Sequence, residues 1–530
     1  EALNRLCFWL GGIAVLAASQ WSASKSPAFM SLLRVSLVVS SLLLAIGFWA
    51  VFFTEFGNPN FNHAVFFSPI GHFNFTADVL VTLIPALAWA CYYSPNRWLG
   101  LGAVLGLLSA IVVLIMTGSL GGLGGVLIGG VFASVVYLLN TRSVRNQAQP
   151  TKRSSIAIVI VIAALSLTFT HLLLPQLPDS LRLGVFSRAD WTSAPTSIET
   201  TNAQHLPPFP TLWIRIAPYL GSRTPMWAST VGMIEERPWL GFGTGSFAYA
   251  YLAYEKKYDL FKDFETLGVN VKTNPHNVLL HIAAENGIPS AVLFLAMIVA
   301  FIYRLIQTTR QKPSLLIYCG IWAVSAGFID AQFNQVFFNP ASLFILSLFW
   351  GAIGGQSPSL TNAGLFSLRL PSKNIQIFGL CVTSLLALGL ASFPLRWVIS
   401  EHFIAEARIM KDWDPPASQM ELITTWVTAR KWYPGNVNAL YALASNASAK
   451  GRYEPAERYI KAFLDLVPNH SPGIALLADI EAHTERLNEA EKHLEQAIIL
   501  EPDSQILREN LIEVRKQIET SKNSEEKSTH

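Results

Sequence analysis

The sequence predicts an all-α fold in two parts, a polytopic helical membrane unit followed by a helical-repeat domain. Three observations predict it. The 530-residue chain is 51% apolar and 14% charged, with a mean hydropathy of +0.37, a membrane-protein profile. Apolar runs long enough to cross a bilayer, roughly 20 residues each, recur as far as Ser400. Beyond Ser400 the composition becomes that of a soluble helical domain, and a 34-residue period sets in.

About ten spans are expected, at 6–22, 32–53, 75–94, 98–117, 119–139, 156–174, 288–306, 314–332, 340–356 and 376–400, with 340–356 the weakest. Positive charge orients them. Arg142, Arg145, Lys152 and Arg153 lie in the loop 140–155, Arg304, Arg310 and Lys312 follow the seventh span, and Arg369 and Lys373 follow the ninth. The alternate loops 54–74 and 333–339 hold no Lys or Arg. The basic side is therefore expected in the cytoplasm, with the long loop 175–275 and everything after residue 400 outside. The first residue also falls outside, which predicts an odd number of helices ahead of it. The expected segments are transmembrane helices in 1–174 (truncated at the start), a large outer loop 175–275, a functional helix with further spans in 276–400, repeats in 401–516 and a disordered tail 517–530.

Several function classes are excluded. A net charge of +3 without a basic block gives no footprint for nucleic acid. Cys7, Cys91, Cys319 and Cys381 lie in apolar runs without zinc or disulfide spacing, as inert packing residues do. No phosphate loop of the G-x-x-x-x-G-K-[ST] type occurs, and the cytoplasmic loops are too short for a nucleotide-binding domain. "GFGTGSF" at 241–247 follows no βαβ strand, so Gly241, Gly243 and Gly245 are expected to permit a tight turn or a close approach to a ligand. No cofactor is expected. The energy of an enzyme built this way has to come from an activated, membrane-borne donor.

The ionisable residues gather in "TNPHNVLLHIAAENGIPS", 273–290. After Pro275 it reads as a helix stopped by Gly287, with Asn277, His281 and Glu285 on one face at i, i+4, i+8 and His276 in its first turn. The positive end of the helix dipole disfavours imidazolium there, so His276 has the setting of a general base. Polar groups so near hydrocarbon are costly, which favours function. His281 and Glu285 can equally satisfy each other, with Asn277 holding loop backbone. His276 and His281 do not share a helix face, which argues against zinc. Upstream, Arg223 and Arg215 are candidate diphosphate ligands because a guanidinium binds two oxygens at once, with Glu235 and Glu236 as alternative partners.

In the tail, "YEPAERYIKAFLDLVPN" and "LNEAEKHLEQAIILEPD" align at a shift of 34, pairing Ala456 with Ala490, Phe463 with Ala497 and Pro468 with Pro502. This resembles the tetratricopeptide repeat. Such repeats either hold a protein partner on a concave face or serve as a stabilising appendage.

The ordered combination of Arg223 and Trp227, "RPWLGFGTGSF", and "HN" followed by nine residues and Gly287 resembles the O-antigen ligase and polymerase superfamily over about residues 60–355. "GHFNFTADVLVTLIPAL" at 71–87 looks like that family's polar start to a membrane helix. The resemblance implies a C-type glycosyltransferase-like architecture without a metal, in a bacterial inner membrane. It implies transfer of a glycan from undecaprenyl diphosphate to an acceptor hydroxyl in the periplasm. The acceptor would be lipid A core for a ligase, a growing chain for a polymerase, or a protein for an O-oligosaccharyltransferase. His276 would deprotonate or orient the hydroxyl, Asn277 and Glu285 would support it in the catalytic set, and Arg223 would hold the diphosphate. A single base with no carboxylate nucleophile implies direct attack with inversion. Family ligases place the large loop after the ninth of twelve spans, so three preceding helices would restore register. Two positions depart from the pattern. Leu120, in "TGSLGGLGG", stands where many members have a second diphosphate-facing arginine, so Arg215 substitutes or the donor is held differently. Ser290 replaces a glycine of the ligases, which leaves polymerase or protein glycosylation open.

Two other classes fit part of the chain. Asp78, Asp330 and Asn334 in or near spans suit a solute transporter, although no inverted repeat or paired broken helices accompany them. A non-catalytic scaffold would recruit envelope enzymes through the repeats.

Overall fold

The computed structural model describes residues 2–55, 73–92, 96–144, 207–213, 215, 223–254, 274–311, 313–356, 396–397, 399–408, 410, 418–502 and 504–528. Among the described residues there is no strand. The membrane unit holds α1 (Ala2–Lys25), α2 (Pro27–Glu55), α3 (Phe73–Tyr92), α4 (Arg97–Met116) and α5 (Leu120–Val144). The short helices α6 (Arg223–Glu236), α7 (Phe247–Ala250) and α8 (Val278–Asn286) follow. Then come α9 (Ile288–Gln311), α10 (Leu315–Asp330) and α11 (Pro340–Gln356). Among the described residues, five helices are long and apolar enough to cross a membrane, within α2, α3, α4, α5 and α9, and α10 and α11 are shorter apolar helices. The expected span 156–174, and 376–400 up to residue 395, lie outside the described residues.

Hydrocarbon offers no partner to a backbone N–H or C=O, so apolar runs become helices that satisfy themselves. Their mutual packing depends on shape rather than on hydrophobicity. Gly125 and Gly129 of α5 show how: a Cβ there would lie 2.6 Å from Ala326 O and 2.8 Å from Ala326 N of α10. Only a stripe without side chains lets the two backbones meet, and the Trp322 indole N–H crosses the contact to Val126 O at 2.8 Å. Most of α10 is buried at the centre, whereas α9 turns Val292, Leu293 and Val299 outward.

Alternating helices bring several ends together. The turn Thr117–Ser119 between α4 and α5, the turn 331–339 between α10 and α11, and the starts of α3 and α9 share one end of the bundle. Asn334 Nδ2 donates to Ser119 Oγ at 2.8 Å, and Asn339 Nδ2 donates to Phe75 O at 3.1 Å. This end carries the candidate site.

The tail forms α12 (Gln419–Trp432), α13 (Val437–Ala449), α14 (Tyr453–Leu466), α15 (Ser471–His483), α16 (Leu487–Leu500) and α17 (Gln505–Ser528). Val437 and Ser471 begin equivalent helices, as do Tyr453 and Leu487, each pair 34 residues apart. Ala456, Ile460 and Phe463 on one face of α14 are buried, as the period requires. Two expected boundaries are corrected. Ser400, assigned to the last span, is buried among the repeats: it donates to Ala429 O at 2.7 Å and accepts from Asn436 Nδ2 at 2.8 Å. The stretch 517–528, expected to be disordered, continues α17. Arg515 pins that helix to α16 through Glu491 and Glu495, both at 2.7 Å, and helix propagation carries it on.

Candidate functional site

The segment Asn274–Asn277 is held from three sides. Asn277 caps α8: its Oδ1 accepts the Leu280 N–H at 2.9 Å, while its Nδ2 donates to Gln332 O at 3.2 Å. The Val278 N–H reaches Ala331 O at 2.8 Å, so the start of α8 rests on the turn after α10. The Trp227 indole N–H donates to Pro275 O at 2.8 Å, and the His276 N–H donates to Asn274 Oδ1 at 3.0 Å. Between these anchors His276, expected in the first turn of the helix, instead lies ahead of the Asn277 cap with a left-handed backbone, φ +52°, a conformation that costs a side-chain-bearing residue about 1–2 kcal/mol. Strain of this kind persists where the surroundings over-determine the geometry, as they do at functional sites. His276 is half-buried.

Arg223 comes to the same turn from α6. Its guanidinium lies 6.0 Å from the centre of the Phe333 ring, and the Trp227 ring one helical turn on lies 6.3 Å from it. One aromatic residue on the turn after α10 thus receives both the arginine and the tryptophan that holds the His276 loop. The third approach is from α5. A Cβ on Gly121 would sit 2.8 Å from Phe333 Cβ and 2.8 Å from Asp330 Oδ1, so Leu120, largely exposed, stands at this corner. Beneath it is a buried polar cluster. Asp330 Oδ1 accepts from Asn334 Nδ2 at 2.5 Å, the Asp78 and Asp330 carboxyls lie within hydrogen-bonding reach of each other, and both residues are fully buried. The carbonyl of Asp330 also takes the N–H groups of Phe333 and Asn334 at 2.8 Å, shaping the turn on which the loop rests.

Glu285 and His281 lie elsewhere. Eight residues of helix separate Glu285 from Asn277, a rise of about 12 Å, too far to share a reacting atom with His276. Both side chains are buried. Glu285 Oε1 stands 3.2 Å from His281 Nε2 and accepts the Phe247 N–H at 3.0 Å. The glycine loop meets this same end of α8. The N–H groups of Phe242 and Gly243 donate to Ala284 O at 3.0 Å and Glu285 O at 2.7 Å, carbonyls that a helix end leaves open. Gly241 has φ +64°, and a Cβ there would stand 2.4 Å from the Glu285 carbonyl carbon. The close approach expected to a ligand is, at Gly241, made to the backbone of α8. Gly243 and Gly245 supply further positive φ angles, +103° and +80°. Gly287 ends α8 at φ +84°, where a Cβ would lie 2.1 Å from Trp239 O.

The structure therefore brings Arg223 and the loop that carries His276 and Asn277 to the same turn, 331–333. It sets Glu285, His281, Gly241, Gly243 and Gly245 at the far end of α8, as its brace. Arg215 is exposed. Phe333 and Gln332 belong to no motif recognised in the sequence, and Asp330 and Asn334 pointed there only to a transporter. Their signal was available: "DAQFNQVFFN", 330–339, is a polar, asparagine-rich turn between two apolar helices.

The family model described as O-antigen ligase matches residues 104–295. That stretch includes Leu120, Arg223, the His276 loop and Gly287, and stops before Asp330 and the repeats. No curated protein matches the chain.

Proposed function

We propose, from the premise that this chain belongs to the O-antigen ligase superfamily, that it transfers a glycan from a polyprenyl-diphosphate carrier to an acceptor hydroxyl. The membrane is the bacterial inner membrane, with the site, the long loop and the tetratricopeptide-type repeats on the periplasmic face. The observation that carries the reading is the shared turn 331–334. A strained, half-buried histidine and an arginine from a distant helix converge there, at one end of a membrane bundle.

The chemistry follows from the two groups. Arg223 offers planar paired donors to the donor diphosphate. The acceptor oxygen attacks the anomeric carbon while His276 takes the hydroxyl proton. The bond from that carbon to the diphosphate oxygen breaks, its electron pair leaving with the diphosphate, and the configuration inverts. His276 then yields its proton to water or to the departing phosphate. Asn277 positions the histidine, and Glu285 and His281 hold the helix that carries it. The buried Asp78, Asp330 and Asn334 bond to one another and to the turn, which supports a role in shaping the site over one in conducting a solute.

The test supplies purified protein with fluorescent undecaprenyl-diphosphate oligosaccharide and, separately, lipid A core, a second donor glycan and a periplasmic protein. A product that depends on His276 with one acceptor identifies the acceptor class. Failure to bind or consume the donor with any of them would contradict the reading.

A further inference from the structure

The repeats touch the site's brace. The chain that leaves the glycine loop forms α7 and a 3₁₀ turn, Tyr251–Ala253, and the two faces of this short stretch point at different units. Phe247 and Tyr251, one helical turn apart, are buried against Met226 and Met233 of α6 and Ala284 of α8. Tyr249 and Leu252 face the other way and pack against the core of the repeats, built from Leu440, Ala444, Ile460 and Phe463 among others. A segment of seven residues is thus clamped between the repeat domain and the helix of the site.

The inner face leads directly to α8. The Phe247 ring meets the His281 ring edge-on at 5.3 Å between centres, and the Phe247 N–H is held by Glu285 Oε1 at 3.0 Å. Ser229 Oγ donates to Tyr254 O at 3.0 Å and ties the end of the segment back to α6, the helix that begins with Arg223. A helix of nine residues does not hold itself in water or at a membrane surface, so its placement depends on such contacts.

We propose that the repeat domain is a positioning element of the transfer site. By seating Tyr249 and Leu252 it presses Phe247 onto the His281–Glu285 pair. This sets the placement of α8, and so of Asn277 and His276 at its other end. The proposal rests on the transferase reading for its consequence and on packing alone for its mechanism. Neither Tyr249 nor Leu252 reaches the reacting atoms in this scheme. They act through α8.

The test uses the intact protein in nanodiscs, with Tyr249→Ala/Leu252→Ala, the conservative pair Tyr249→Phe/Leu252→Met, and Ile512→Ser on the exposed face of α17 as control. Two readouts are taken: kcat and KM for the polyprenyl-diphosphate donor, and amide hydrogen exchange over 278–286. For the alanine pair the expected result is a kcat lower by about ten- to a hundredfold, the range that misplacement of a reacting group produces. Donor KM stays within about twofold and exchange over 278–286 rises. The conservative pair restores both readouts, and the control matches wild type. Wild-type kcat and exchange in the alanine pair would overturn the proposal, as would equal losses in the conservative pair. If the double variant fails to insert, Tyr249→Ala alone gives the same directions at smaller size, and its silence in both readouts overturns the proposal. If wild type transfers nothing, the transferase reading fails, and the exchange readout still decides whether the repeats position α8.

Discussion

Asn277→Ala removes two hydrogen bonds from the point where α8, the turn after α10 and the His276 loop meet. The lost cap, from Oδ1 to the Leu280 N–H, is worth about 1 kcal/mol. The lost bond from Nδ2 to Gln332 O contributes about another 1 kcal/mol. Together about 2 kcal/mol shifts the ratio of seated to displaced loop by a factor of roughly 30. Because α8 has nine residues and little stability of its own, the whole helix shares that shift. Asn277→Ser separates the two bonds: it keeps an oxygen cap, gives up the reach to Gln332, and should cost about 1 kcal/mol, roughly fivefold. Hydrogen exchange over 278–286 and the rate of glycan transfer from a fluorescent donor should rank wild type, serine and alanine in that order of increasing damage. If alanine matches wild type in both measurements, the clamp does not set the loop and the reasoning fails.

Gly287→Ala places a methyl group 2.1 Å from Trp239 O at φ +84° and should lower the melting temperature of the protein in detergent by several degrees, whereas Ser290→Ala should leave it within about a degree. Leu120→Arg adds a guanidinium at the corner that Phe333 shares with Arg223 and should tighten donor binding by about tenfold in a fluorescence titration. An unchanged dissociation constant would remove position 120 from the donor site. His470 caps α15, its Nδ1 accepting the Gly473 N–H at 2.9 Å, and burial pushes its pKa down to about 4. Above pH about 6.5 both the folded and unfolded forms are neutral. As pH falls from there towards 4 the unfolded chain takes up the proton first, so the repeats lose about 3 kcal/mol in all. Exchange protection in α15 should decline over that window and stay level in His470→Asn, which caps without titrating.

Much of the membrane unit is legible in the sequence because lipid leaves an apolar run of this length little other than a helix to form. The stop of α8 is legible for the same kind of local reason, but its start is not, since His276, expected in the first turn, lies ahead of the helix at φ +52°. Gly287 supplies the left-handed exit, and Asn277 rather than a residue before His276 supplies the side-chain oxygen at the cap. The i, i+4 pairing of His281 with Glu285 also follows from spacing alone. What could not be read is which residues meet across the bundle. Ser119, Phe333 and Trp227 are far apart in the chain, and only the packing of α5 and α6 on the end of α10 brings them to one corner. The glycine loop shows the same limit. Its positive φ angles could be anticipated, but whether they served a ligand or the carbonyls of α8 depended on what lay opposite. At the other end of the chain, charged composition alone suggested disorder. The ion pairs of Arg515 across to α16 are tertiary, and they hold that helix in place.

The account rests most directly on the division of labour between His276 and Arg223. Donor affinity and single-turnover transfer, measured on the same preparations of wild type, His276→Ala and Arg223→Ala, test it. The predicted result is wild-type donor binding without product in His276→Ala, and donor affinity weakened by about tenfold or more in Arg223→Ala. Product formed by His276→Ala at the wild-type rate would contradict the account.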